Sequence, residues 1–293
     1  MPLLPVSEIE RLSPIFRGKA GNALASVLRK LLSISKLSDI YDKISDFRGA
    51  DFAGALLSHL GIDFEIGGAQ RLQELPQGPF ITVSNHPYGS IDGIILLDLI
   101  GHMRPGLKVM VNEFLSIIEP LRPSWISVNP KNNDTREVTG KNIRGVREVL
   151  STLREGEPVG FFPSGAVSDL KLRGLRIEDR EWQGSLVRLI QKAKVPIVPV
   201  RFFDRNSTLF YLLGLLSWKI RTLRLPRELV NKKNARIRIG LGETLSVQEQ
   251  SKHQDPDDFG LWLRESVYGM ELPESFVRYS DFIQNTRNSH DLE

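Results

Sequence analysis

From about residue 62 the chain alternates short, uninterrupted apolar runs with segments of helical periodicity, and this alternation limits the fold more than any other feature. The apolar runs are FITVS (80–84), LKVMVN (107–112), WISVN (125–129), PVGFF (158–162), VPIVPVRF (195–202) and ARIRIG (235–240). Runs this short and this unbroken suit strands buried on both faces of a sheet. Between them, GKNIRGVREVLSTLREG sets Ile143, Val146, Val149, Leu150 and Leu153 on one helical face and stops at Gly156. WQGSLVRLIQKAK does the same with Leu186, Val187, Leu189 and Ile190. The expected fold is α/β, a central mostly parallel or mixed sheet flanked by helices.

Residues 8–60 read as helical. GNALASVLRKLLSISKLSDIYDKI puts Leu24, Val27, Leu28, Leu31 and Leu32 on one side, and a second helix over ADFAGALLSHLG is stopped by Gly61. Near the end, QDPDDFGLWLRESVYG offers Asp255 as an N-cap and Pro256 as the first helical residue. Beyond about Met270 the chain is polar, and no linker rich in Pro, Gly or Ser divides it. The expected organisation is an N-terminal helical extension over 1–61, one α/β domain over 62–270 and a peripheral C-terminal tail over 271–293.

The net charge of +4 and pI of about 9.3 mark a mild basic excess that means little until it is localised. With no cysteine, disulfides, thiolate metal sites and a cysteine nucleophile are excluded. The start, MPLLPVSEIERLSPIF, lacks the pattern of a signal peptide, and no window holds the roughly 18 apolar residues of a membrane-spanning helix. A cytoplasmic protein is expected on these grounds. His59, His86 and His102 form no metal-ligand pattern, so no metal is expected. Gly-x-Ser-x-Gly, Gly-x-Gly-x-x-Gly and a P-loop are all missing, which argues against an α/β-hydrolase nucleophile elbow and against nucleotide enzymes.

One strand-to-helix junction carries chemistry. In FITVSNHPYGSIDGIILL, His86 follows an apolar strand, Ser90 is a candidate N-cap, and Asp92 falls in the first turn of the next helix. A carboxylate on one imidazole nitrogen fixes the tautomer and leaves the other nitrogen free to take a proton from a weak nucleophile such as an alcohol. An aspartate in a first turn also serves the helix dipole with no chemistry at all. Downstream, a buried strand ends in Phe162-Pro163-Ser164-Gly165. A loop with Lys171, Arg173, Arg176 and Arg180 follows, either a site for an anionic head group or a solvated charged surface. KVPIVPV (194–200) reads as a buried edge or irregular strand. STLFYLLGLLSWKIRTLRLPREL (207–229) is apolar at first and then cationic, which fits a helix in a lipid interface or a core helix with a charged end.

SNHPYGSIDG, FPSGAVS and KVPIVPV, in that order, resemble the signatures of the glycerolipid acyltransferases, the lysophosphatidic acid or lysophospholipid acyltransferase type. Five residues separate His86 from Asp92 where the family usually has four, a form similar to the bacterial hemolysin-like branch. Ser164 stands where the family usually has Glu, and Asn129 and Lys131 fall where it often has an arginine. The resemblance spans about residues 62–245. It implies transfer of a fatty acyl group from acyl-ACP or acyl-CoA to the hydroxyl of a lysophospholipid-type acceptor, with the thioester as substrate and no further cofactor. His86 is then the general base and Asp92 its partner, while Asn85, Ser164, Gly165, Lys171, Arg173, Arg176 and Arg180 contact substrate. It also implies a peripheral position on the cytoplasmic face of the membrane, with a lipid surface and an acyl carrier protein or coenzyme A thioester as partners and no role for nucleic acid. The alternatives are an O-acyltransferase for a monoacylated amino-acid lipid, a hydrolase on the same scaffold and a non-catalytic membrane-surface protein.

Overall fold

A computed structural model of the protein describes residues 33–128 and 140–290. The helix expected around Leu24–Leu32 and the positions Asn129 and Lys131 lie outside the described residues.

Strands β1 (Glu65–Gly67), β2 (Ile81–Ser84), β3 (Lys108–Asn112), β4 (Trp125–Val128), β5 (Val159–Phe161), β8 (Ile197–Phe202), β9 (Arg238–Leu241) and β10 (Val277–Arg278) form one sheet in the order β10-β1-β9-β8-β2-β5-β3-β4. The sheet is mixed. The pairs β2–β5, β2–β8, β3–β4, β3–β5 and β1–β9 are parallel, whereas β8–β9 and β1–β10 are antiparallel. Two further strands, β6 (Asp169–Lys171) and β7 (Arg176–Glu178), make a separate antiparallel hairpin.

Helices cover both faces, as the unbroken apolar runs require. On one face α1 (Ile34–Ile44), α2 (Gly49–Leu60) and α3 (Ser90–Leu99) join a core with Phe52, Leu57, Ile95, Val200 and Ile239. On the other, α4 (Gly140–Arg154), α5 (Gly184–Ala193) and α9 (Pro256–Tyr268) bury Val149, Leu153, Val187, Ile190, Phe259 and Leu263 against Ile81, Val83 and Phe161. Ile143 and Val146, expected on the buried face of α4, stay exposed. Gly61 ends α2 with φ +65, its N–H returning to the Ser58 carbonyl, and the Asp255 carboxylate caps α9.

Between β8 and β9 the segment expected as one amphipathic helix is three: α6 (Thr208–Leu216), α7 (Trp218–Leu223) and α8 (Leu225–Val230). Ser217 breaks the first from the second with an extended backbone, and Pro226 stands in the first turn of the third. The tail adds β10 to the edge of the sheet and the helix α10 (Tyr279–His290). Tyr279 stacks on Phe64 at 4.4 Å and donates its hydroxyl to the Asp98 carbonyl.

Candidate active site

The site sits where β2 ends between its parallel neighbours β5 and β8. Carboxyl ends of central parallel strands are where this class of sheet presents side chains to a ligand. Asn85 latches the end of β2 to β8: its Nδ2 donates to the Phe202 carbonyl at 2.9 Å and its Oδ1 accepts from the Phe202 N–H at 2.8 Å. Both amide atoms are thereby used on backbone, so Asn85 fixes where the next residue starts.

That residue is His86. Its Nδ1 stands 2.9 Å from Asp92 Oδ2, and its ring lies against Phe162 with centroids 4.3 Å apart. The imidazole keeps 17% of its surface exposed and Asp92 none. Asp92 Oδ2 also accepts the backbone N–H groups of Tyr88 at 3.0 Å and Gly89 at 2.9 Å. Burial pushes the Asp92 carboxyl above its ordinary range, and the His86 contact and the two N–H donors pull the other way.

The cap of α3 is Gly89, not Ser90, which is the first helical residue. Gly89 has φ +86 and ψ −118, a conformation open in practice only to glycine. A Cβ there would stand 3.0 Å from both Leu225 and Val167. The Asp92 carboxylate takes the Gly89 N–H in the manner of a capping box. Asp92 thus serves the helix start and His86 with the same oxygen.

The second signature ends β5. Gly165, with φ +62, turns the chain back so that its N–H donates to the Phe162 carbonyl. Ser164 is buried and its hydroxyl donates to the Ala166 carbonyl at 2.8 Å, so Ser164 is committed to the turn. Lys171, Arg173 and Arg176 lie on the β6–β7 hairpin. Arg176 contacts Glu178 at 3.5 Å, and Arg180 donates to Asp169 at 2.6 Å. The structure brings His86, Asp92, Asn85, Ser164 and Gly165 to one strand-end cluster and sets the four cations on and beside the hairpin.

Several residues that organise the cluster carry no local signal. Asp179 is buried in a charged run. Its Oδ1 accepts the His86 N–H at 3.1 Å and the Ser168 hydroxyl at 2.6 Å, and its Oδ2 accepts from Trp182 Nε1. The Ser168 N–H donates to the His86 carbonyl. Tyr211 donates its hydroxyl to the Pro87 carbonyl at 2.8 Å, and Asn206 donates to the Tyr88 carbonyl at 3.1 Å. Arg221 is buried in α7 and donates to Ser168 O, Asp169 Oδ1 and Val167 O. Apart from the Trp182–Asp179 and Ser168–Asp179 bonds, these join residues more than fifty positions apart, so spacing rules cannot see them. Among the described residues no three His, Asp or Glu side chains gather as metal ligands.

Residues 9–268 match the model of a family described as acyltransferase. The chain belongs to that family. This agrees with the three signatures, and the expectation of an acyl-transferring enzyme is met. The chain is 26% identical over 253 residues to a lyso-glycine lipid O-acyltransferase of Bacteroides thetaiotaomicron, covering 84% of this chain and 89% of that protein. It is also 26% identical over 268 residues to the lyso-glycine lipid O-acyltransferase of Phocaeicola vulgatus, covering 87% and 92%. The crystal structure of the 1-acyl-sn-glycerophosphate acyltransferase PlsC from Thermotoga maritima superposes with a TM-score of 0.45 at 15% identity, over 82% of this chain and 79% of that one.

Proposed function

We propose that this acyltransferase moves a fatty acyl group from an acyl carrier protein or coenzyme A thioester to the hydroxyl of a single-chain lipid, at the cytoplasmic face of a membrane. The observation that carries it is the 2.9 Å approach of Asp92 to His86 Nδ1, which leaves Nε2 to act as base. The acceptor hydroxyl gives its proton to Nε2 while its oxygen attacks the thioester carbon. The tetrahedral oxyanion collapses with loss of the thiolate, which recovers the proton from the imidazolium. The buried Asp92 carboxylate stabilises the imidazolium between these steps. No metal and no cofactor besides the thioester substrate takes part.

A monoacylated amino-acid lipid is the acceptor we favour. The relatives that cover 84% and 87% of this chain carry the name lyso-glycine lipid O-acyltransferase. Ser164 also supports it: its hydroxyl is spent on a turn where the glycerolipid signature has a carboxylate. A lysophospholipid is the second reading, favoured by Lys171, Arg173 and Arg176 on one hairpin. The test offers purified protein both thioester donors against a hydroxyl-bearing N-acyl glycine and a set of lysophospholipids, with products resolved by mass spectrometry. A diacylated amino-acid lipid as the main product supports the first reading. Diacyl phospholipid alone moves the assignment to the second, and fatty acid released without acceptor makes the protein a hydrolase.

A further inference from the structure

Half of the large apolar side chains left exposed among the described residues belong to two segments, the turn of the β6–β7 hairpin and α6–α7. At the hairpin turn Leu172 is 67% and Leu175 73% exposed, and along the helices Leu216 is 79% and Trp218 53% exposed. The segments are far apart in sequence but form one surface. Helix α6 packs on β6, and Arg221 of α7 bonds to Asp169 of β6 at 2.5 Å. The charge on this surface is mainly positive, and the acids that border it, Asp169, Glu178 and Glu228, are each paired with an arginine. Residues 170–177 hold Lys171, Arg173 and Arg176, residues 205–227 hold five Lys and Arg, and neither stretch has an acid.

We propose that the hairpin turn and helices α6–α7 together form a docking face for a bilayer carrying anionic lipids. Apolar and aromatic side chains ringed by cations gain from both the acyl boundary and the negative surface potential of such a bilayer. A protein partner fits less well, because the cores of protein interfaces exclude lysine and unpaired charge. No described helix is long and apolar enough to cross a membrane, so the face lies on the bilayer. Lys219 sits over the Trp218 ring at 5.9 Å, and both belong at head-group depth.

The face is also wired to the candidate site. Arg221, only 4% exposed in an otherwise open helix, donates to the Ser168 carbonyl. The Ser168 N–H donates to the His86 carbonyl, and its hydroxyl shares Asp179 with the His86 N–H. Helix α7 is thereby joined to His86 through Ser168, two hydrogen bonds away. The docking face deepens the proposed reaction but does not depend on it, since vesicle binding is read without turnover.

The experiment is co-sedimentation of the full chain with vesicles of phosphatidylcholine alone and with phosphatidylglycerol added. We expect binding to the anionic vesicles and a loss of at least about tenfold for the double variant Leu175→Glu, Leu216→Glu, which puts two carboxylates into the interface. Lys219→Glu is expected to weaken binding at low salt and to make little difference at high salt. Leu261→Glu, at another exposed leucine of 70% exposure outside the two segments, controls for charge alone and is expected to bind as wild type. All four positions are exposed, so circular dichroism and melting are expected to be unchanged. Unchanged vesicle binding in the double variant overturns the proposal. A wild-type protein that ignores both vesicles but dimerises through this face, as judged by light scattering with and without the double substitution, overturns it in favour of self-association.

Discussion

Asp92→Asn separates chemistry from folding at the strand end. The carboxylate holds Tyr88 N–H, Gly89 N–H and the His86 ring on one oxygen. The amide oxygen of asparagine can still accept both N–H groups, so the turn and the start of α3 are kept. What is lost is the negative charge beside the imidazole. A contact with a charged partner is worth about 1.5–3 kcal/mol, and about 1.4 kcal/mol is tenfold in rate. The expected loss in kcat is about 10–10²-fold from charge alone. Because the ring shares that oxygen, the amide orientation that keeps the turn also presents oxygen to Nδ1 and keeps the tautomer, so the loss stays in that range. Stability moves the other way. Burial holds the Asp92 carboxyl above its ordinary value, so the folded chain keeps a proton at pH values where the unfolded chain has released it. The group's contribution then falls as pH rises from 3.8 through the raised value and stays low above it. The asparagine variant carries no such loss and is expected to melt at the same or higher temperature than wild type at pH 7. Steady-state transfer assays and calorimetry on one preparation read both effects. Activity within about threefold of wild type refutes the assignment of Asp92 as the orienting carboxylate, and a clear drop in melting temperature refutes the stability argument.

Three other perturbations probe the frame around that pair. Asn85→Ala strands the Phe202 N–H and carbonyl in a buried position and is expected to cost about 2–4 kcal/mol in chemical denaturation. Gly89→Ala forces a side chain into φ +86 against Leu225 and Val167, and a stability loss of about 1–3 kcal/mol with a larger fall in kcat than in affinity is expected. His102, bonded first to Asp98 and also to Asp51, has its pKa raised to about 9. Its stabilising charge is fully present below 6.5, the ordinary value, and is lost as pH rises through about 9. A His102→Gln variant is expected to melt below wild type at pH 6 and to converge with it at pH 10, read by thermal denaturation across that range.

The strands buried on both faces were legible to within a few residues, because an unbroken apolar run can go nowhere else. The strands that sequence missed are too short or too polar to show an apolar run: β1, of three residues with Ile66 alone as its buried apolar side chain, the two-residue β10, and the polar hairpin β6–β7. The single amphipathic segment over 207–229 is three helices because Ser217 is extended and Pro226 begins a new first turn, breaks that apolar periodicity does not register. At the candidate site, His86 and Asp92 could be paired from spacing since both lie on one strand-to-helix turn. Ser90 looked like the cap because serine is a common one, but the backbone at Gly89 demands glycine and Asp92 does the capping. Asp179, Ser168, Arg221, Asn206 and Tyr211 reach the same loop from other elements, and Asp179 hides among Glu178, Arg180 and Glu181. Their roles come from tertiary contacts alone.

The central claim is that His86 takes the proton from an acceptor hydroxyl. The most direct test is the acyl-transfer rate of His86→Ala against wild type, with matched circular dichroism and melting, using whichever donor and acceptor the wild type turns over. The account predicts product falling to background in a folded protein that still binds anionic vesicles. Full transfer by folded His86→Ala protein would contradict it and remove the histidine from the reaction.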